Sequence, residues 1–420
     1  LVRTIHKAYR YRVYPTVTQV VRLDAWENAL RYLWNLAHEQ RLLGLARPRG
    51  ERRYYTAFDQ CKELTGLRAE LPWLADVPRN VCAQLLVELD KAWQRCFKRL
   101  AMQPRWKRKG RDPVTLCEPH PKVWALKDGG IRFPKLGLLK TVVHRPLEGT
   151  PKTCSIVRDG DQWFASIVCE LVVADPVRPS GDPVALDRGV VNLVADSTGA
   201  LVPQPAYLKQ SLKRLARAQR VVARRKKGSA NQKKARGRVA RIHRTVRRQR
   251  DWNLHQIANR YAKNHGTVIV EKLQLRNMTR SAKGTRTNSG RNVRAKAGLN
   301  RSILDAGWGR LVEMLRYKCD WAGGTLVEVP AAYSSQTCAR CGHVASNSRQ
   351  TQARFACVSC GHAAHADTNA ALVLLSRGIH GGAVCGGFAE VRRPMKQKLR
   401  VARRGTRQAV RLEASSFTVR

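Results

Sequence analysis

Negative charge is what this sequence is shortest of. Asp and Glu number 30 against 79 Lys and Arg, a formal net charge of +49 on 420 residues, and so one-sided a chain repels itself unless a polyanion neutralises it. The partner this implies is nucleic acid. A basic protein of a membrane surface is the competing reading, but the aromatic residues fall inside periodic segments and line no single amphipathic face. Long apolar runs are missing as well. No stretch of about 18 apolar residues is present to cross a bilayer, and the opening LVRTIHKAYRYRVYP has no apolar segment of the kind a secretion signal needs. A soluble, unexported protein without a membrane partner is expected, long enough for about two or three domains.

Of 12 cysteines, eight (Cys61, Cys82, Cys96, Cys117, Cys154, Cys169, Cys319 and Cys385) lie in no CxxC pair, which reads as reduced core thiols. The other four make the strongest pattern in the chain. Cys338 and Cys341 form one CxxC, and Cys357 and Cys360 form another, at a spacing that fits a four-thiolate zinc ribbon. Each pair can aim two thiolates at one ion, and Gly342 and Gly361 permit the tight knuckle. One structural Zn²⁺ is expected there.

Taken in order, residues 3–14 alternate as a strand that Pro15 and Thr16 break. To about Leu45, Val20, Leu23, Leu30, Leu33 and Ala37 recur at helical spacing. A second helix over 79–100 carries Val81, Leu85, Leu89, Trp93 and Phe97 behind Pro78. Asn80 and Gln84 lie one turn apart on its polar side, and such amides can read adenine edges, although a helix-surface role is the plainer reading. The basic run PRWKRKGR (104–111) could grip a phosphate backbone while Trp106 stacks on a base, with a core role for Trp106 equally open. Residues 112–174 break into short strands between turns, expected to join the first strand in a small barrel from which the helices emerge as an insertion. Residues 175–183, rich in proline, read as a linker.

Beyond it, an apolar strand delivers Asp187 at its end, Gly189 allows a turn, and VVNLVADSTG returns as a hairpin. Residues 206–250 contain no acid. They read as a long helix or helix pair with Leu208, Leu212, Leu215 and Val222 on one side and a phosphate track of Lys and Arg elsewhere, including Arg224, Arg225, Lys226 and Lys227. A further helix over 254–264 leads into TVIVE, which places Glu271 at a strand end. Residues 276–300, rich in Gly, Ser and Arg, read as mobile until they meet nucleic acid. A helix over about 302–322, a strand over 325–329 and the ribbon follow, and the tail 381–420 is basic and reads as disordered.

Three acids stand out by position: Asp187 and Glu271 end strands, and Asp367 opens the helical run DTNAALVLL. In an α/β sheet such positions converge on one edge, where two Mg²⁺ could activate a water and stabilise a leaving oxygen of a phosphodiester. Each acid alone has a structural reading as a cap or turn residue.

The order D-R-G, basic helices, VIVEKL, YSSQTCARCG, CVSCGH and DTNAA, with FPKLG (133–137) and DAGWGRL (305–311), resembles the TnpB proteins of bacterial insertion sequences and the similar miniature type V CRISPR effectors. The resemblance covers about residues 1–378. It implies a multidomain α/β and β protein: an RNase H-like RuvC nuclease domain over 181–335 with a zinc ribbon (336–364) and a final helix (365–380), behind an N-terminal wedge barrel (1–15 and 109–180) that carries a helical recognition lobe (16–108). It further implies that Asp187, Glu271 and Asp367 hold two catalytic Mg²⁺ and that the partners are a locus-encoded guide RNA and double-stranded target DNA. A place in the bacterial cytoplasm with the nucleoid is expected, and a monomer is favoured over an oligomer, which the sequence leaves open. Arg188 stands where an aliphatic residue is common, and His365-Ala366 where Asp-Arg is frequent. The implied function is RNA-guided, Mg²⁺-dependent cleavage of both DNA strands beside a short flanking motif. An RNA-independent resolving nuclease and a catalytically dead zinc-ribbon regulator are the alternatives. No His-x-His pair is present to accompany a tyrosine nucleophile, which speaks against transposition itself.

Overall fold

A computed structural model describes residues 2–380. The expected disordered tail and Cys385 lie outside the described residues.

Strand β1 (Val2–Tyr14) buries Tyr9, Tyr11 and Val13 on one face, as period-2 alternation requires. Helix α1 (Val17–Ala46) starts at Thr16, whose side chain and that of Gln19 satisfy each other's main-chain N–H groups in a capping box. A second capping box, Thr56 with Asp59, opens α2 (Ala57–Glu70), a helix absent from the reading above. Only Gln60 and Leu64 of α2 are buried, so its hydrophobic period is faint. Short α3 (Pro72–Ala75) precedes α4 (Arg79–Phe97), which begins behind Pro78 and stops one turn earlier than expected.

Strands β2 (Leu116–Glu118), β3 (Ala125–Lys127), β4 (Gly130–Phe133), β5 (Gly137–Val142), β6 (Thr150–Asp159) and β7 (Gln162–Ala174) then form with β1 a seven-stranded sheet in the order β2-β6-β7-β1-β5-β4-β3. The first strand in the chain thus sits near the middle, between β7 and β5. The expected barrel is not closed by pairing, because β2 and β3 are the two free ends of the ladder among the described residues. Helices and sheet share one core, in which Trp26, Leu30, Leu86 and Leu89 pack with Tyr11, Ile131 and Ile156.

The second half is built on β8 (Val184–Asp187), β9 (Asn192–Asp196) and β10 (Leu201–Pro203). Helices α5 (Tyr207–Arg224) and α6 (Ala230–Asn264) form an antiparallel hairpin, and β11 (Thr267–Lys272) returns to the sheet. After α7 (Leu275–Met278), α8 (Val293–Ala306) and α9 (Trp308–Trp321) comes β12 (Thr325–Pro330), giving the order β10-β9-β8-β11-β12. The first three strands pair antiparallel, and β8, β11 and β12 run parallel. Alternation divides the two faces of this sheet. Val184, Leu186, Val268 and Val270 pack against α6 and α9, whereas Ala185 and Ile269 meet Leu374 of α10 (Ala366–Ile379) on the other side. At Gly378 a Cβ would come within 2.5 Å of the Ile269 side chain, so α10 lies on β11 closer than any other residue would allow there.

Three expectations are corrected here. Residues 254–264 are no separate helix but the end of α6, since no Gly or Pro interrupts the run from Arg238 onward. Residues 276–300 carry more structure than their composition implied: α8 begins at Val293, and Gly284 bridges to Ser289. The helix over 302–322 is two helices that break at Gly307, whose φ of +70° no α-helix contains.

The candidate active site and the zinc ribbon

Main-chain geometry places two of the three acids side by side. Strands β8 and β11 run parallel with Leu186 opposite Val270, so Asp187 and Glu271 are the next residues out of the sheet on neighbouring strands. Asp367 enters from the first turn of α10, which packs beneath those strands and is capped by the His365 side chain. Glu271 and Asp367 are buried. Burial, followed by the charges of Glu271 and Asp367, drives Asp187 up to about 7 against the opposing pull of Arg349 and Arg188. Burial also raises Glu271, opposed by Arg188. Like charges gathered at one sheet edge favour a cation among them.

Two arginines and an asparagine hold these acids, and sequence reasoning had assigned a role to none of them. Arg349 Nη2 donates to Asp367 Oδ1 at 2.9 Å, and Asn192 Nδ2 to Asp367 Oδ2 at 3.3 Å. The Nε of Arg188 lies 3.7 Å from Glu271 Oε1. Arg349 belongs to the ribbon, so the ribbon reaches the acid at the start of α10. Asn369 makes the second link: fully buried, it accepts from the Ala339 N–H (2.9 Å) and donates to the Thr337 carbonyl (2.7 Å), which clips α10 to the first cysteine knuckle. DTNAA was the visible signal for Asn369. Arg349, Arg188 and Asn192 had no local signal, because each acts across a tertiary contact.

In the ribbon itself, Cys338 and Cys360 sulfurs lie 3.7 Å apart and those of Cys341 and Cys357 3.6 Å apart. A tetrahedral ion with Zn–S bonds of about 2.3 Å has sulfur–sulfur edges of about 3.8 Å, so the cluster fits one zinc ion. The knuckle glycines Gly342 and Gly361 have φ of +75° and +69°. Beside them, β13 (Arg354–Ala356) and β14 (Ala363–His365) close the ribbon as a hairpin. The four sulfurs all lie within 4.8 Å of one another, and no other set of three or more His, Cys, Asp or Glu ligand atoms does so among the described residues. The carboxylates are therefore grouped more loosely than the thiols.

Family profiles match three stretches: one described as "Probable transposase" over 166–282, one as "Cas12f1-like, TNB domain" over 308–374, and one as "Helix-turn-helix domain" over 5–42. On that last stretch the structure has strand β1 and the greater part of the single helix α1. The Escherichia coli (strain K12) protein named "Putative RNA-guided DNA endonuclease InsQ" is 37% identical over 329 residues, 78% of this chain and 81% of its own length. A Streptomyces pristinaespiralis protein bearing the same name without the last word is 31% identical over 415 residues, 97% of each chain. The chain belongs to the TnpB family. Among solved structures, a Cas12f1–sgRNA–target DNA complex covers 89% of the chain and 99% of its own at 14% identity and a TM-score of 0.45.

Elsewhere on this TnpB-family chain, the residues proposed to meet nucleic acid are scattered. Arg224, Arg225, Lys226 and Lys227 are exposed at the tip of the α5–α6 hairpin. Asn80 donates to buried Glu118 (3.0 Å) and Gln84 to Glu88 (2.9 Å), so both amides are engaged within the protein. Trp106 is 44% exposed and sets its ring against His38 at 4.9 Å between centroids. Its loop is pinned to α1: Trp34 Nε1 donates to the Arg105 carbonyl (3.1 Å), and Asn35 bonds both the N–H and the carbonyl of Lys107. That loop forms one wall of a cleft of about 920 Å³ that no single segment could have announced. Arg31, Lys109, Arg111, Lys233 and Arg236 line it. Among the described residues, the side chains of Lys109, Arg111, Lys233 and Arg236 make no hydrogen bond or ion pair, which leaves their charge for an outside anion.

The Asp187 shift fixes the sign of a pH dependence. Its folded value of about 7 lies above the ordinary carboxylate range, so the native state binds more protons than the unfolded chain between the two. This contribution to stability is complete below the unfolded value and is lost as pH rises through about 7. Thermal melts in magnesium-free buffer are expected to show wild type losing stability across that window relative to Asp187→Asn, and added Mg²⁺ to reverse the difference. Parallel pH profiles for the two proteins would show that Asp187 is not raised.

Proposed function

We propose that this protein is an RNA-guided DNA endonuclease in which bound guide RNA and a short target-flanking motif direct Mg²⁺-dependent cleavage of both strands at a single site. The observation that carries the reading is the gathering of Asp187, Glu271 and Asp367 at one sheet edge, close enough for the other two to raise Asp187. Kinship over almost the whole chain with proteins named for this activity supports it.

On this reading the five-stranded sheet is the RNase H-like RuvC core, and the N-terminal sheet with its helices is the wedge and recognition lobe. Asp187, Glu271 and Asp367 would hold Mg²⁺, which supplies activation of a water and stabilisation of the leaving oxygen. The chain's own residues do the rest. Arg349 and Asn192 fix the Asp367 carboxylate through its two oxygens, and Asn369 keeps the ribbon seated so that Arg349 stays in reach. The unpaired cations of the cleft and of the α5–α6 hairpin neutralise phosphates, a contribution independent of sequence, while pairing with the guide supplies specificity.

Reconstitution with RNA transcribed from its own locus tests this. With Mg²⁺, the protein is expected to cut a duplex only when it matches the guide and carries the flanking motif. Cutting indifferent to guide sequence would favour the resolving nuclease, and guide-dependent binding without cutting would favour the dead regulator.

A further inference from the structure

The residue after Asp187 is a buried arginine. Arg188 is 6% exposed, and an ion taken so far from water is costly unless a counter-charge and hydrogen bonds compensate. Both are found, and the counter-charge comes from the candidate site. Its Nη2 donates to the Glu271 carbonyl and its Nη1 to the Trp308 carbonyl at 3.5 Å. Its Nε faces Glu271 Oε1 at 3.7 Å and has no hydrogen-bond partner. One guanidinium therefore joins the end of β8, the end of β11 and the start of α9.

We infer that Arg188 is a positioning residue that serves the acid cluster as a resident counter-ion, holding Glu271 in place without metal and setting how tightly metal binds. This rests on the reading of Asp187, Glu271 and Asp367 as metal ligands. An aliphatic side chain could fill the same space, but it would leave Glu271 buried beside Asp187 with no cation from its own layer. Because Arg188 is anchored by two main-chain carbonyls, arriving metal cannot displace it as it could a loosely held ion. Metal binds against its charge. The acids are thus kept ordered when metal is absent, in exchange for weaker metal binding.

Arg188→Gln separates charge from hydrogen bonding, since an amide can still donate toward a carbonyl. Arg188→Lys keeps the charge. The probe is Mn²⁺ alone, titrated into zinc-loaded full-length protein stripped of nucleic acid and followed by the electron paramagnetic signal of free Mn²⁺. Arg188→Gln is expected to bind Mn²⁺ about tenfold more tightly than wild type, the scale of one unit charge removed at short range in a partly solvated site. Arg188→Lys should bind as wild type does. In metal-free buffer Arg188→Gln should melt lower, with the gap closing as Mn²⁺ is added.

A role in packing alone would lower melting without tightening metal. Unchanged or weakened Mn²⁺ affinity in Arg188→Gln therefore overturns the inference, as does loss of binding in Arg188→Lys. If Arg188→Gln is unfolded without metal, folding on Mn²⁺ addition supports the inference, and failure to fold at saturating Mn²⁺ overturns it. Wild type that binds no Mn²⁺, or binds it equally after Asp187→Ala, would instead remove the metal reading of the site.

Discussion

Asp187→Ala, Glu271→Ala and Asp367→Ala are each expected to lower single-turnover cleavage by on the order of 10³-fold or more, the scale of losing a transition-state electrostatic contact, while guide-dependent target binding stays near wild type. The separation follows from charge. These three carboxylates repel a phosphate backbone, so removing one takes nothing from DNA affinity, whereas on the proposed reading affinity for Mg²⁺ depends on all three. Cleavage rates and gel-shift affinities measured on the same preparations check both halves. Cleavage that survives Glu271→Ala would mean the active site is elsewhere.

Loss of the ribbon's thiolates should reach further than the ribbon. Cys341→Ser or Cys357→Ser is expected to abolish stoichiometric zinc and to lower the melting temperature by on the order of 10 °C, because metal binding in such a module is itself folding free energy. Cleavage should fall as well, by a route the structure specifies. Without the first knuckle, Thr337 and Ala339 no longer hold Asn369, and Arg349 loses its register on Asp367. Metal analysis, thermal melts and cleavage assays on the serine variants test this. A zinc-free variant with wild-type melting would refute it.

What could be read in the sequence, and what could not, divides by range. Asp187 and Glu271 could be picked out because each ends a short run of buried apolar residues, and Asp367 because it opens an apolar helix; all three are local patterns. The cysteine spacing is local too. Arg349 and Arg188 left no such trace, since a lone arginine in a chain with 79 basic residues carries no signal until folding gives it a partner. The basic cleft was hidden for the same reason, its walls coming from α1, the 104–113 loop, the β6–β7 turn and α6. The break at Gly307 was obscured because Leu304, Trp308, Leu311 and Leu315 keep a helical spacing across it. Helix α2 was missed differently. Its capping box was plain in Thr56 and Asp59, but reliance on hydrophobic period passed over it.

The position of β1 also bears on synthesis. Arg3 pairs with Val173 and Tyr9 with Ile167, so β1 is synthesised well before the partners that hold it. Contacts of such high sequence separation make for slow folding, and until β7 emerges the apolar side of β1 waits uncovered. The intervening helices α1 and α4 belong to the same core. They can shelter Tyr9, Tyr11 and Val13 during that wait, which gives the helical insertion a task in the nascent chain as well as in the finished protein.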